Sequence, residues 1–202
     1  MSRALSLRAG LALAALVAAS ACSTKVERLE DREARDLSGA WNDTDSRLVS
    51  EEMVRDSLSR AWLQEFSGRA GQKRPAVIVG EVRNVSHEHI NVNTFTLEME
   101  RALINSGKVD FVATKDERRG IRDERKDQDL NAREDTRNAM GRELGADFML
   151  TGTINTIVDP SGDTQIRFYQ INMTLISLAD NRKVWVGQKD IRKLVTRSKL
   201  RF

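Results

Sequence analysis

The C-terminal part of the chain constrains the fold most, because three stretches there alternate apolar and polar residues with a period of two. These stretches are Asp147–Val158, Gln165–Leu178 and Lys183–Val195. Short turns separate them at Asp159–Gly162 and Ala179–Asn181, and both turns contain residues that turns favour. Consecutive strands joined by short turns pair antiparallel. The sequence therefore predicts a three-stranded meander.

The alternation also separates a core face of these strands from an outer face. In the last strand, Trp185 and Ile191 share one face. Because successive side chains of a strand point to opposite sides of the sheet, we expect the apolar side to meet the core. The residues expected to face the core in the middle strand are Tyr169, Ile171, Met173 and Leu175.

Upstream of the meander, helical spacing of apolar residues or a run of good helix formers predicts helices. The predicted helices are Ser46–Phe66, Val92–Ser106, Lys115–Asp127 and Asn131–Leu144. Asp45 or Ser46 can cap the first helix and Asn91 the second, since their side-chain oxygens accept from free backbone N–H groups. Short strands are predicted at 76–83 and 109–113. The element order is then α-β-α-β-α-α-β-β-β.

This order predicts an α+β domain with a mixed or antiparallel sheet that ends in the meander and is flanked by helices. The length of 202 residues suits one such domain with appendages. We divide the chain into a signal peptide at 1–21, a lipidated cysteine with a charged tether at 22–45, and a folded domain at 46–202.

The N-terminal residues have the pattern of an export signal. Arg3 and Arg8 precede an uncharged run, Ala9–Ala21. A bilayer-spanning helix needs about 20 apolar residues, so this run is short for a membrane span. A basic start, a short apolar stretch and small residues before a cleavage site are typical of a secretory signal.

Cys22 is the only cysteine of the chain, which excludes an intramolecular disulfide framework. It follows Ala19-Ser20-Ala21, and small residues before a cysteine resemble the bacterial lipobox, in which the thiol receives a diacylglyceryl group. We predict lipidation of Cys22. Ala19 stands where leucine is commonest, so ordinary cleavage near Ala21 remains an alternative. Ser23 in place of aspartate favours the outer membrane, by resemblance to Gram-negative sorting rules.

The charge of the chain gives no argument for nucleic-acid binding. The formal net charge is +3, but residues 1–21 hold two Arg and no acid; removing them leaves 3 − 2 = +1. Net charge alone indicates solubility and non-specific binding rather than a particular partner. Neither stacking aromatics nor a nucleic-acid motif accompanies the basic residues.

The residues give no positive signal for an enzyme, a cofactor or a metal. No GxSxG nucleophile elbow and no GxxxxGK[ST] phosphate loop occurs. His87-Glu88-His89 lacks the helical HExxH spacing, and a structural zinc site needs four ligands. We therefore expect a solvated loop at 87–89. A nucleophilic triad needs Ser or Cys with a His base, and the one Cys lies in the leader.

Two basic clusters are candidate partner surfaces. Arg118, Arg122 and Arg125 fall on one helical face, but acids are interleaved among them, so an ion-paired, solvated helix is expected. The C-terminal run contains no acid after Asp190 and is the better candidate. Its proposed partner-binding residues are Arg192, Lys193, Arg197 and Lys199.

Several sequence blocks together resemble the penicillin-binding protein activator LpoB family, over about Asp36–Lys193. These blocks are Gly80–Asn84, Glu88–Asn91, Ala102–Val109, Leu144–Gly152, Tyr169–Asn172 and Lys183–Trp185. The resemblance implies a fold similar to the N-terminal domain of TolB. It also implies an outer-membrane lipoprotein whose periplasmic domain binds and activates a bifunctional peptidoglycan synthase, a class A penicillin-binding protein, and performs no chemistry itself.

The tether departs from the family pattern. Well-known members carry a long Pro-rich tether, whereas Ser23–Asp45 is short, charged and without Pro. An alternative function is therefore a lipoprotein assembly module of an envelope or secretion complex. A third, an unrecognised hydrolase, rests only on the abundance of carboxylates.

Overall fold

The computed structural model of the protein describes residues 38–136, 138 and 143–196. The signal peptide, Cys22, most of the tether, Arg197 and Lys199 lie outside the described residues. The helices are α1 (Asp43–Leu58), α2 (Ala61–Arg69), α3 (Val92–Asn105) and α4 (Lys115–Asn131). The strands are β1 (Ala76–Asn84), β2 (Asp110–Phe111), β3 (Phe148–Ser161), β4 (Thr164–Ser177) and β5 (Lys183–Thr196).

The strands form one mixed sheet of five strands in the order β2-β1-β3-β4-β5. β1 pairs parallel with both β2 and β3, whereas β3, β4 and β5 are antiparallel neighbours. The α+β fold with a C-terminal meander is therefore confirmed. β4 lies centrally in the meander, so its long pairings with β3 and β5 fix the register of all three strands.

The core lies between one face of the sheet and helices α1, α2 and α3. Val49 and Met53 of α1 and Phe95 and Met99 of α3 are almost fully buried because their helical spacing places them on one face of each helix. From the sheet, β4 contributes the alternate residues that the sequence predicted: Tyr169, Ile171, Met173 and Leu175.

The predicted helix Ser46–Phe66 is wrong in its start and its continuity. Asn42 is the N-cap, and Asn42 and Asp45 form a capping box with each other's backbone N–H, so α1 begins three residues before Ser46. The helix ends at Leu58, because the Ser59 N–H turns back to the Asp56 carbonyl and the Arg60 N–H to the Ser57 carbonyl. A new helix, α2, follows Arg60 and packs Trp62 against Phe148.

The predicted helix Asn131–Leu144 is also wrong where the structure describes it. Ala132 adopts an extended conformation that ends α4, and residues 134–136 form a turn. The first hairpin turn lies later than predicted. β3 continues through Pro160 and Ser161, and Gly162, with a φ of +60°, makes the turn. Pro160 fits there because β1 ends opposite Ile154, which leaves that part of β3 with one neighbour.

Candidate partner-binding face

The face of the meander that points away from the helices is the candidate functional surface, and we call it the open face. The residues that point to it alternate with the buried core residues of β3, β4 and β5, and all of them are half-buried or exposed. The open face therefore consists of side chains that the core does not require. Such positions are free to serve binding.

An apolar cluster occupies the open face at the free end of the meander, near the turn at Gly162. We call it the tip patch, and it consists of Ile157, Ile166, Phe168, Arg192 and Leu194. The strand register places Ile157, Phe168 and Arg192 in one row, and Ile166 beside Leu194 in the next. Leu194 is 72% exposed and Ile157 63% exposed. Exposed apolar clusters of this kind mark interaction surfaces more often than isolated apolar residues do.

Arg192 adds a positive charge to the tip patch, and the Phe168 ring orients its guanidinium. Its guanidinium carbon lies 5.3 Å from the centroid of the Phe168 ring, within the range of a cation–π contact. Aromatic residues and arginine are enriched at protein interfaces, and arginine is frequent among the residues that carry most of the binding energy. Of the residues predicted from the sequence for partner binding, Arg192 is thus on the exposed surface.

Lys193, by contrast, points to the opposite side of β5 and is buried, so its predicted place on a partner surface needs correction. Its Nζ donates to Asp45 Oδ2 at 2.6 Å and to the Ala40 carbonyl at 3.1 Å. The side chains of Lys193 and Asp45 are only 9% and 8% exposed. The ion pair therefore joins β5 to the start of α1 inside the domain.

The N-terminal segment Gly39–Trp41 packs against the core-facing side of β4 and β5. Trp41 packs edge-on against Tyr169 and Phe95, with ring centroids 5.6 and 6.2 Å apart, and its Nε1 donates to Ser46 Oγ at 2.8 Å. Gly39 has a φ of +68°, and a Cβ there would lie 2.1 Å from Val195 Cγ2. Only glycine fits this close approach without displacement.

Glu88 holds the same segment from the other side, although the sequence suggested only a solvated loop at 87–89. The Tyr169 hydroxyl donates to both Glu88 carboxylate oxygens at 2.9 Å, and Arg167 Nη1 donates to Oε1 at 2.9 Å. The Trp41 N–H also donates to Oε2 at 3.3 Å. Burial is the main cause that raises the pKa of Tyr169 above its ordinary value, and the hydrogen bond to Glu88 is the second. The expectation of a fully solvated loop is therefore wrong for Glu88.

The sequence contained signals for these contacts. A tyrosine on the buried face of β4 needs a partner for its hydroxyl, and this requirement indicates a polar group nearby. Lys193 is two residues beyond Ile191, so the same alternation that assigned Trp185 and Ile191 to the core also points Lys193 inward. The identity of the partners, Glu88 and Asp45, depends on contacts between distant parts of the chain and has no local signal.

The basic face of α4 is ion-paired, as expected, but its partner is Glu143 from beyond the helix and not one of the interleaved acids. Arg122 donates through Nε and Nη2 to the two Glu143 oxygens, both at 2.8 Å, and Arg125 Nη1 lies 3.4 Å from Oε1. These arginines hold the pKa of Glu143 below its ordinary value, mainly through the hydrogen bond from Arg122. No residue of α4 is buried.

His87 and His89 are both exposed. Among the described residues, no group of three or more His, Cys, Asp or Glu side chains is arranged to hold a metal ion. Within the same residues, every helix is too short or too polar to cross a bilayer.

Comparison with known proteins identifies one family. The family model described as "Peptidoglycan-synthase activator LpoB" matches residues 45–191, which span α1 through most of β5. A comparison with curated proteins gives no match.

Solved structures show weaker likeness. The chain is 16% identical to the LpoB C-terminal domain from Salmonella enterica, with a TM-score of 0.36 over 65% of this chain and 93% of that one. It is 16% identical to LpoB from E. coli, solved by NMR, with a TM-score of 0.38 over 88% and 83% of the two chains. It is 14% identical to lipoprotein GNA1162 from Neisseria meningitidis, with a TM-score of 0.39 over 62% and 88%.

Proposed function

Since the chain belongs to the LpoB family of peptidoglycan-synthase activators, we propose that it is an outer-membrane lipoprotein that binds and activates a class A penicillin-binding protein. The family match over residues 45–191 carries this proposal, because it covers most of the folded domain. The protein itself is proposed to perform no chemistry and to need no cofactor. Peptidoglycan synthesis is regulated through contact with the synthase.

The tip patch is the proposed docking surface. It combines exposed aliphatic side chains with an arginine already oriented on Phe168. Burying apolar area contributes about 25 cal/mol per Å², and the position of Arg192 reduces the side-chain entropy lost on binding. The surface stands on three paired strands, so it is preorganised for a partner.

Activation requires more than binding. A ligand shifts an equilibrium only by the difference between its affinities for the two states. The protein must therefore bind the active conformation of the synthase more tightly than the resting one. Binding that is equal in both states gives a complex without activation.

The proposed anchor is a lipid on Cys22, and it limits where the partner can be met. Trp41 packs on the domain, so the segment between the lipid and the domain is shorter than the sequence suggested. Residues 23–37, fully extended, reach about 50 Å. The synthase must therefore bring its docking site within this distance, plus the extent of the folded domain, of the outer membrane.

The test is binding and activation with the full-length chain in detergent and a class A penicillin-binding protein from the same organism. We expect Arg192→Glu and Leu194→Ser each to weaken binding at least tenfold and to lower the stimulated rate of synthesis. Leu130→Ser on α4 is the matched control, because Leu130 is 83% exposed and lies away from the tip patch.

If the wild-type chain neither binds nor accelerates any class A synthase of its organism, the proposal fails. Recovery of secretion or envelope-assembly components in place of a synthase supports the alternative of an assembly module. Equal loss of binding in Leu130→Ser contradicts the assignment of the interface to the tip patch.

A further inference from the structure

Next to the tip patch, the open face carries an ordered array of polar side chains, of which all but one are uncharged. The register places Thr153, Asn172 and Gln188 in one row and Asn155, Gln170 and Asp190 in the adjacent row. We call these residues the amide grid. Charged residues make up 31% of the chain, yet Asp190 is the only charged member of the grid. The next row consists of Thr151, Thr174 and Val186 and is uncharged as well, although Val186 is apolar.

Hydrogen bonds between neighbours order the grid. Asn172 Nδ2 donates to Gln170 Oε1 at 3.3 Å, and Gln188 Nε2 donates to Asp190 Oδ1 at 3.1 Å. Asn155 Nδ2 contacts Thr153 Oγ1 and the Gln170 carbonyl, both at 3.4 Å. A side-chain amide offers two donor hydrogens and two acceptor lone pairs. Each amide of the grid therefore keeps capacity for a ligand.

This chemistry selects the class of ligand. A strongly charged ligand lacks counter-charges in the middle of the grid, and an apolar ligand leaves the amides without partners, which is costly when they are desolvated. A ligand that both donates and accepts many hydrogen bonds without charge fits best. Hydroxyl and acetamido groups on a sugar chain have this property, and an acetamido group pairs with an Asn or Gln amide as donor and acceptor together.

The dimensions also suit an extended polymer. Neighbouring strands lie about 4.8 Å apart and alternate residues of a strand about 7 Å apart, so the grid covers roughly 10 by 7 Å of the sheet face. At its margins, Arg83 pairs with Thr153 on β1, and Arg192 follows in the tip-patch row. An array that continues over several strands accepts the side of a chain better than a small free molecule.

We propose that the amide grid binds an uncharged glycan strand that bears N-acetylated amino sugars. This inference goes beyond the proposed activation of a synthase and does not depend on it. A domain that holds both a glycan and a protein partner on one face brings the polymer next to whatever occupies the tip patch.

The test is co-sedimentation of the full-length chain in detergent with chitin and with cellulose. The two polymers share their linkage and differ at the acetamido group. We expect retention on chitin that soluble N-acetylglucosamine oligomers release, and at least fivefold less retention on cellulose. Asn172→Asp, nearly isosteric, adds a charge in the middle of the grid and should lower the chitin-bound fraction at least fivefold. Asn93→Asp, exposed on α3, is the matched control and should bind as wild type.

Equal retention on the two polymers overturns the proposal, as does wild-type retention by a folded Asn172→Asp variant. If Asn172→Asp lowers the thermal midpoint, Gln188→Glu decides, because Gln188 is exposed and its replacement disturbs no packing. Loss of synthase binding in these variants, without chitin binding by the wild type, assigns the grid to the protein interface and overturns glycan binding.

Discussion

Glu88 and Lys193 each hold the N-terminal segment Gly39–Trp41 onto the domain, from two different sides. Glu88 accepts from the Trp41 N–H and from the Tyr169 hydroxyl, while Lys193 donates to the Ala40 carbonyl and to Asp45. Both are ionisable groups in largely buried positions, where an unpaired charge is costly. Their removal should therefore affect folding more than surface charges do.

Tyr169 is the only tyrosine of the chain, so its ionisation can be followed by absorbance near 295 nm. Its pKa is raised mainly by burial and, to a smaller extent, by the hydrogen bond to Glu88. We expect the native protein to show no ionisation near pH 10, where unfolded tyrosine titrates. Glu88→Gln should lower the native midpoint, because the neighbouring negative charge is lost.

The same shift predicts how stability depends on pH. The neutral form is favoured in the folded state, so the contribution of Tyr169 is complete below about pH 10 and is lost as pH rises, since the unfolded chain ionises first. Urea-unfolded protein gives the reference titration. Identical midpoints in the native and unfolded protein contradict the prediction.

Lys193→Met should lower the free energy of unfolding by about 3 kcal/mol, because it leaves Asp45 buried without its partner. The double variant Lys193→Met with Asp45→Asn should recover part of this loss. Lys183→Met, on an exposed position of the same strand, is the control and should change stability by less than about 0.5 kcal/mol. Urea denaturation measures all of them, and equal effects of the two lysine replacements refute the structural role of Lys193.

Among the helices and strands, the sequence predicted best those in which apolar residues recur regularly and capping residues mark the ends. Asn91 accepts from the Asn93 N–H as the N-cap of α3, as predicted, and Gly107 beyond its end has a φ of +65°. The break between α1 and α2 was missed because the apolar stripe runs through it. The hydroxyl of Ser59 donates to the Asp56 carbonyl and the Trp62 indole to the Ser57 carbonyl. These contacts are local, but the period of the apolar residues does not indicate them.

Two glycines give opposite predictions for the same substitution. Gly120 lies inside α4 and an added Cβ meets nothing within 4 Å, so Gly120→Ala should stabilise by about 1 kcal/mol by restricting the unfolded chain. Gly39 has a positive φ and lies against Val195, so Gly39→Ala should destabilise by at least about 1 kcal/mol. Thermal unfolding of both variants checks the pair. A stabilised Gly39→Ala would show that the N-terminal segment is not seated against β5.

For the whole molecule, the arrangement of the sheet separates the core from the proposed binding surfaces. One face buries the core with α1, α2 and α3, while the open face carries the tip patch and the amide grid. The candidate site was only partly predictable from the sequence. Arg192 was identified from its charge, but the apolar residues beside it come from three strands, and only the register brings Ile157, Phe168 and Leu194 together.

The proposed lipid anchor at Cys22 determines where the whole molecule is located. If Cys22 carries the lipid, Cys22→Ala should move the protein from the outer-membrane fraction to the soluble periplasmic fraction, because removing the acyl chains removes the stable attachment. Fractionation followed by immunodetection measures this, with Ser23→Ala as the control that keeps the cysteine. Retention of Cys22→Ala in the outer membrane contradicts a lipid anchor at this residue.

The seating of Gly39–Trp41 also has a mechanical consequence. A pulling force applied to the chain at Ser38 meets the contacts of Ala40 and Trp41 with Lys193 and Glu88 before it reaches α1. These contacts lie on different elements, so the segment is held at two separate points. The domain therefore resists pulling at the end to which the proposed lipid anchor would connect.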